Sequence, residues 1–523
     1  MVRFVFIPLI LVAGVGAGQH ASGQTRTADP DSALQYILSQ LEGAALPLQE
    51  AVEQALKNST VVRRAEAAYL AARGTVRRES GAFDPELFFS MNYLDQEQPS
   101  ASFFSGAPVL ITNQTTTQGG LRLDLPIGTQ LEASLNTIRL GTNSTFAFLN
   151  PQYTAFGSLS LRQPLLGGFH VSARKELTRA ERDLQAAQAR YDQEMLATAA
   201  EVERRYWDLY AVERDYAVQK LTRDRGEAFL QEAELRAKAG LIGPSQVANA
   251  KTFLAEQKLL LLDREEQHDR LSDELASLIG SRPEAGEVRY LTVDTPPDDF
   301  PMEPVDTLVS LALRNNLDLQ AARADVEAVR SLASAAGWEA LPSVDLVGSL
   351  GGNGLAGAPQ NVIFGGDTLR TTRGGSFGDA ISQATKRDFP TWSVGVEVSI
   401  PIGFRNGLGE EDRLQAEVMI AEQRYIERGR ALEEEVRSSY RELFHGRRRL
   451  EAAKEGVAAA QEQVRIGLIE FQNGRSTAFE LVRLGSDFAA AQQRYSEALV
   501  RTAKSATTLK QLTSGAYPGT IQP

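Results

Sequence analysis

Cysteine is missing altogether from this chain of 523 residues. Its absence excludes disulfide frameworks, thiolate metal sites, cysteine nucleophiles and a lipid anchor on an N-terminal cysteine. Histidine is almost as scarce. His20, His170, His268 and His445 lie far apart, and no two share zinc-ligand spacing. Positive charge is in deficit: 55 Lys and Arg against 67 Asp and Glu leave −12. A general nucleic-acid binder needs a basic face, so that class is excluded. A long hydrophobic run occurs once, Phe4 to Ala17, after Arg3 and before Ala21-Ser22-Gly23. It reads as a signal peptide over residues 1–23, cut before Gln24. The run is shorter than the ~20 residues a bilayer-spanning helix needs. Arg3 is the only charged residue among the first 23, so cleavage leaves −13. The expected mature protein is exported and has no membrane helix. It is either soluble outside the cytoplasm or a β-barrel, whose strands give much weaker hydropathy signals.

What is present is a duplication. Ala55-Leu56-Lys57-Asn58 matches Ala312-Leu313-Arg314-Asn315 at an offset of 257, and Pro85 matches Pro342 at the same offset. Gln163-Pro164-Leu165 then resembles Ile400-Pro401-Ile402 at an offset of 237. Tyr206-Trp207-Asp208-Leu209 matches Tyr440-Arg441-Glu442-Leu443 at 234, as does Gly240 with Gly474. The order is kept, so the chain reads as two copies of one plan: helix, strands, long helix, turn, helix. The first copy is expected over residues 24–280 and the second over 305–515. A proline-rich connector, 281–304, lies between them, and 516–523 is a tail. The opening helix is predicted from Leu48 to Gly81 in the first copy and from Val305 to Gly337 in the second.

Two-residue alternation marks the strands. Leu87, Phe89, Met91 and Tyr93 share one face. Trp392, Val394, Val396, Val398 and Ile400 do the same, with Ser393, Gly395, Glu397 and Ser399 opposite. Four main strands are expected near residues 85–94, 153–163, 343–351 and 391–400. A hairpin around Leu125-Pro126-Ile127-Gly128 either extends the rim or adds two strands. Alternation alone fits a membrane barrel and a half-buried soluble sheet equally. Asn92–Gly120 and Gly351–Pro390 are rich in Gly, Ser, Thr and Asn and read as exposed loops. Phe103, Phe104, Phe146, Phe148, Tyr153 and Phe389 near them suit interfacial girdles or core packing.

The long helices are more distinctive. Between Val171 and Ala239 there is no proline and one glycine, Gly226. Apolar or small residues recur through Leu184, Tyr191, Val202, Tyr206, Leu209 and Val212, and again through Leu414, Leu432, Val436, Tyr440, Leu443 and Leu450. Their spacing of about 3.5 is that of a coiled-coil seam. At ~1.5 Å per residue each rod is about 100 Å long, too long for a small core to bury. Each ends at a glycine turn, Gly240 and Gly474, where positive φ is cheap. Ser245 and Thr477 are placed to cap the return helices. Nothing catalytic competes with this plan. Asp298-Asp299 sits in the connector, Glu433-Glu434-Glu435 on a helix face. The glycines of Gly352 to Gly357 open no helix, as a nucleotide loop must.

Together these features resemble the TolC-like outer-membrane efflux channel family, over about Leu46 to Gly515. The resemblance is carried by Leu48-Gln49-Glu50-Ala51-Val52, Gln163-Pro164-Leu165-Leu166-Gly167-Gly168, Gly240-Leu241-Ile242, and Gly474 with Glu480-Leu481. It implies an α+β membrane protein, a homotrimer whose β-barrel crosses the outer membrane and continues as a periplasmic tunnel of twelve helices. Four strands per protomer then make a barrel of twelve. It also implies a passive duct for efflux or type I secretion, in contact with outer-membrane lipid. A periplasmic adaptor would join it to an inner-membrane pump, and no cofactor, metal or catalytic residue is implied. Two other architectures use long helices. A structural periplasmic coiled coil leaves the strands unexplained, and a periplasmic adaptor has one hairpin where this chain has two.

The resemblance also implies a gate. In the family, carboxylates after the second turn narrow the periplasmic mouth, and links between the turns hold it shut. The carboxylate position falls on Glu480, but the next acidic position falls on Arg483, which breaks the family's paired-acid pattern. The linking positions fall on Phe471 and Ser476, facing Ser245 and Gln246. A latch here is expected to rely on packing and neutral hydrogen bonds.

Overall fold

The computed structural model describes residues 30–102, 105–283, 289–473 and 475–517. The expected signal peptide, His20, Phe103, Phe104, Gly474 and the end of the tail lie outside the described residues. In chain order the elements are α1 (Pro30–Leu38), β1 (Ala44–Leu46), α2 (Leu48–Asn58), α3 (Thr60–Ser80), β2 (Glu86–Pro99), β3 (Val109–Asp124), β4 (Gln130–Thr142), β5 (Leu149–Pro164), α4 (Lys175–Lys238) and α5 (Pro244–Ile279). The second copy holds β6 (Tyr290–Thr292), α6 (Val305–Asn315), α7 (Leu317–Glu339), β7 (Ser343–Pro359), β8 (Val362–Phe364), β9 (Asp367–Leu369), α8 (Phe377–Lys386), β10 (Phe389–Ser399), α9 (Arg405–Gln472) and α10 (Ala478–Leu512). The chain divides into two compact units. One is built from α1 with 211–269 and 453–496, the other from 44–210, 270–452 and the described residues from 497 to 517.

The duplication shows in the element boundaries. α2, α3 and β2 begin 257 residues before α6, α7 and β7. α4 ends and α5 begins 234 residues before α9 ends and α10 begins. One expectation needs correction: the opening helix of each copy is two helices. Ser59 and Asn316 interrupt it, and their side chains accept the N–H groups of Val62 and Leu319. Each side chain caps a new helix start, which a periodic apolar pattern does not reveal. α7 also runs past Gly337 to Glu339.

The second unit holds one antiparallel sheet of six strands in the order β10-β7-β5-β4-β3-β2. The expectation of four strands is therefore corrected. The hairpin at Leu125–Thr129 joins β3 and β4, which pair with each other and with β2 and β5 along their length. Asn92–Gly120 is not a loop either: β2 and β3 stay paired as far as Pro99 and Val109. Its Thr, Gln and Asn residues alternate as well as apolar ones, but polar alternation gives no hydropathy signal.

Register separates the sheet's two faces. Leu87, Leu121, Ala133, Leu159, Leu350 and Trp392 lie in one paired row. Leu123, Leu131, Leu161 and Val394 share that face, and Leu159, Leu350 and Trp392 are exposed on it. The other face is polar and laced across strands. Arg122 reaches Glu86 (3.4 Å) and Glu132 (3.2 Å), Arg162 reaches Glu397 (3.4 Å), and Ser349 Oγ lies 2.7 Å from Ser393 Oγ. An apolar outer and a polar inner face are what a membrane barrel wall requires.

Gly351–Pro390, expected as a plain loop, is built. β7 continues to Pro359, β8 and β9 form a hairpin, and α8 packs back on β7 and β5. Ala380 and Ala384 of α8 bury against Ala155 and Ala356. The helix approaches so closely that a Cβ on Gly354 would lie 1.9 Å from the Ala380 carbonyl oxygen, and one on Gly352 2.2 Å from that of Ala384. The glycines that mimic a nucleotide loop thus seat a helix.

Leu209 and Leu443 are 0% and 1% exposed, and Val202, Tyr206, Leu414, Leu432 and Val436 are buried with them, as the seam predicts. Tyr206 also ties α4 to the short parallel pair β1–β6. Its hydroxyl accepts the N–H groups of Val293 (2.9 Å) and Asp294 (3.1 Å), and donates toward the Leu46 carbonyl (2.9 Å) or the Asp294 carboxylate (3.1 Å). The connector is therefore stitched to the rod, not draped over it.

Candidate functional site at the helical turns

The first unit carries both turns. α4 ends in a Schellman arrangement: Leu241 N–H donates to the Arg236 carbonyl (3.0 Å), Gly240 N–H to that of Ala237 (3.0 Å), and Gly240 has φ +73°. At the second turn the equivalent bond runs from Arg475 N–H to the Glu470 carbonyl (2.8 Å). Sequence and geometry repeat together.

The return helices start differently from expectation in one respect. α10 begins at Ala478, and Thr477 caps it by accepting the Glu480 N–H (3.2 Å). α5 begins at Pro244, whose ring suits a first helical position, so Ser245 lies inside the first turn and is not the cap. Counting by the repeat offset, Glu480 is the counterpart of Gln246, and Phe479 that of Ser245. The carboxylate therefore occurs in one copy and a neutral amide in the other.

Glu480 pairs with Arg483 at 2.6 Å, three residues on in the same helix, and both side chains are well exposed. Such a pair contributes ~0.2–1 kcal/mol. Glu480 also sits in the first turn of α10, where the helix dipole favours a negative charge. Phe471 meets a residue the sequence did not single out: the Arg236 guanidinium lies 5.7 Å from its ring centroid and 2.5 Å from Glu232. The buried hydroxyl oxygen of Ser476 has no hydrogen-bond partner among the described residues. Among the described residues no hydrogen bond joins Ser245 or Gln246 to Phe471 or Ser476.

Higher on the same helices, α4 touches α10 twice. The rings of Phe229 and Phe479 lie 6.3 Å apart, and Arg225 Nη1 lies 3.5 Å from the Gly485 carbonyl. Burial holds the Arg225 guanidinium below the usual arginine range. A Cβ on Gly485 would stand 3.0 Å from that nitrogen, so glycine there leaves room for the guanidinium. Arg225 sits among the charged residues Arg223, Asp224 and Glu227, so nothing in the sequence distinguishes it from an exposed helix charge. Among the described residues, no group of three His, Asp or Glu could hold a metal ion. No helix there is long and apolar enough to cross a membrane.

A barrel-wall sheet and two long helical hairpins in one chain define an outer-membrane channel of the barrel-and-helix class. The chain belongs to the outer membrane efflux protein family, whose model matches residues 51–281 and 308–515. It is an outer-membrane efflux channel, the exit duct of a tripartite efflux system. Solved structures share the fold at low identity. The outer-membrane channel OprN superposes with a TM-score of 0.60 at 17% identity, covering 90% of each chain. The CmeC channel of Campylobacter jejuni gives 0.59 at 14% identity, covering 90% of this chain and 86% of its own. The open MtrE channel of Neisseria gonorrhoeae gives 0.59 at 16%, covering 91% of each. A comparison with curated proteins gives no match.

Proposed function

We propose that three copies of this chain close into one duct that crosses the outer membrane and extends through the periplasm. It passes cargo passively from an inner-membrane pump, reached through a periplasmic adaptor. The observation that carries this reading is the sheet, apolar outside, polar inside, and open at both edges. Backbone groups on an open edge cannot be left unpaired in lipid, and six strands alone do not enclose a pore. Leu259 and Leu262 on α5, each 63% exposed, also call for partners. In this reading residues 1–23 are removed as a signal peptide, 24–280 and 305–515 are the repeats, and 281–304 is a periplasmic connector. Mass measurement in detergent tests the assembly: the expected particle holds three 57.0 kDa chains, less the signal peptide, and a stable monomer rejects it.

Within the duct, Glu480 lines the narrowest point of the periplasmic mouth, with Gln246 as its neutral counterpart. Three converging carboxylates repel unless Arg483 neutralises them, so the ring is only weakly cation-selective. Adaptor binding splays the two hairpins and opens the mouth. Glu480→Ala is expected to change single-channel conductance or ion preference, and Ser245→Arg to disturb closure. Unchanged currents in both variants would move the constriction elsewhere.

A further inference from the structure

The open edges of the sheet are β2 and β10, at opposite ends of the strand order. We infer that β10 of one copy pairs antiparallel with β2 of the next in one register: Trp392 beside the next copy's Tyr93, Val394 beside Met91, Val396 beside Phe89 and Val398 beside Leu87. The barrel then has eighteen strands, six from each copy. This inference rests on the three-copy reading above.

Four observations select that register. The first is direction. β2 and β10 both belong to an all-antiparallel sheet of six strands, so they run in opposite senses, as an antiparallel closure needs. The second is the outward apolar run. On β2 it is Leu87, Phe89, Met91 and Tyr93; on β10 it is Val398, Val396, Val394 and Trp392, all exposed. Each run has four side chains and ends in one aromatic at the end away from the helices. Aromatic residues gather at the level of the lipid headgroups, so Tyr93 and Trp392 belong at one height.

The third is the strand ends. In this register Glu86, the first residue of β2, faces Ser399, the last of β10, and all 11 residues of β10 find partners on β2. The fourth is tilt. Within one copy, Leu87 is in row with Trp392 across the sheet. The next step reaches Tyr93 of the neighbour, six residues further along β2 after six strands. A slip of one residue per strand, with ~3.3 Å rise and ~4.8 Å spacing, tilts the strands by roughly 35°. Barrel strands tilt by about 35–45°. A slip of two residues either way would set Trp392 beside Met91 or Asp95 and leave the strand ends uneven.

The consequence is a wide exit. Barrels of sixteen to eighteen strands leave an aqueous channel, so side chains need not plug the membrane part of this duct.

Because the chain has no cysteine, the register can be read by paired cysteines without background. Met91→Cys with Val394→Cys, and Phe89→Cys with Val396→Cys, are each expected to yield covalent trimers on mild oxidation. Within one copy the two positions lie on opposite edges, five strand spacings of ~4.8 Å apart, so a bond must join two copies. The slipped pairs Phe89→Cys with Val394→Cys, and Tyr93→Cys with Val394→Cys, are expected to cross-link at least tenfold less. Single-cysteine variants, sized in detergent, check that each substitution leaves assembly intact. More efficient bonding in a slipped pair overturns the register. Intact trimers that bond in none of the pairs overturn the β10–β2 closure. A monomeric unsubstituted protein overturns the three-copy reading instead.

Discussion

Tyr206 joins two separate backbone segments, at Leu46 and at Val293–Asp294, to its rod through one hydroxyl. It is fully buried, its hydroxyl serves two backbone N–H groups, and burial pushes its phenol above the usual tyrosine range. Tyr517 behaves likewise: its hydroxyl donates to the Pro301 carbonyl at 2.6 Å, and burial pushes it up to about 12. A phenol whose folded pKa is raised binds its proton more tightly in the folded chain. Its contribution is complete below the unfolded value near pH 10 and is lost as pH rises through the folded value. Melting temperature should therefore fall between about pH 10 and 12, and less steeply in Tyr517→Phe. Tyr206→Phe should cost about 1–3 kcal/mol already at neutral pH, because two buried N–H groups lose their acceptor. Melting curves at pH 8 and 11 check both; identical slopes in all variants would refute the assignment. The seam spacing made Tyr206 legible as a buried residue. It could not reveal the hydroxyl's partners, which lie 87 to 160 residues away in sequence. Arg225 was illegible for a related reason: what accommodates it is a glycine on another helix.

Among the elements, legibility followed hydropathy. The rods and the strand of β10 were readable because each has a long apolar period, and the turns because a glycine ends each rod. The outer halves of β2 and β3 were not, since Thr115, Thr116 and Thr117 alternate without contrast. α8 was hidden by its flanking glycines, although Ser376 and Asp379 form a capping box, with Ser376 N–H donating to Asp379 at 2.7 Å. That short pattern was the available signal. The seat of α8 makes a testable claim. Gly354→Leu places side-chain atoms where the Ala380 backbone lies, and backbone cannot yield as a flexible side chain can. The expected outcome is a displaced α8 on an unchanged sheet: faster protease cleavage between residues 370 and 388, with heat-resistant trimers retained. Cleavage at the parental rate would show that the helix is not held by that contact. Gly395→Leu, where the nearest atom is the tip of Val347 at 3.5 Å, is the control expected to leave α8 in place.

At the level of the assembled duct, strand parity fixes which parts of the chain face which compartment. The first copy contributes four strands and the second two to the same sheet, so each copy returns to the side it left. In the three-copy duct proposed above, both chain ends and the connector 281–304 are expected in the periplasm, because an even number of strands brings the chain back to the compartment it left. The β8–β9 hairpin is expected on the other side, with the end of β2 at Pro99, the start of β3 at Val109 and the loop at 143–148. Position matters for the probe. Tyr290 is buried against β1, so a label there would report burial and not sidedness. Asp298 is exposed in the connector, and Gly365, at φ +61°, sits open at the hairpin tip with nothing near its Cβ position. Gly365→Ser would still strain a left-handed position, so the cysteine is better placed at Thr368, exposed on β9. In intact cells a membrane-impermeant maleimide should label Thr368→Cys and spare Asp298→Cys. Both should react once the outer membrane is permeabilised. Labelling of Asp298→Cys in intact cells would invert the duct or break the parity. The two results are separable, because inversion would also protect Thr368→Cys, whereas broken parity would leave both positions reactive.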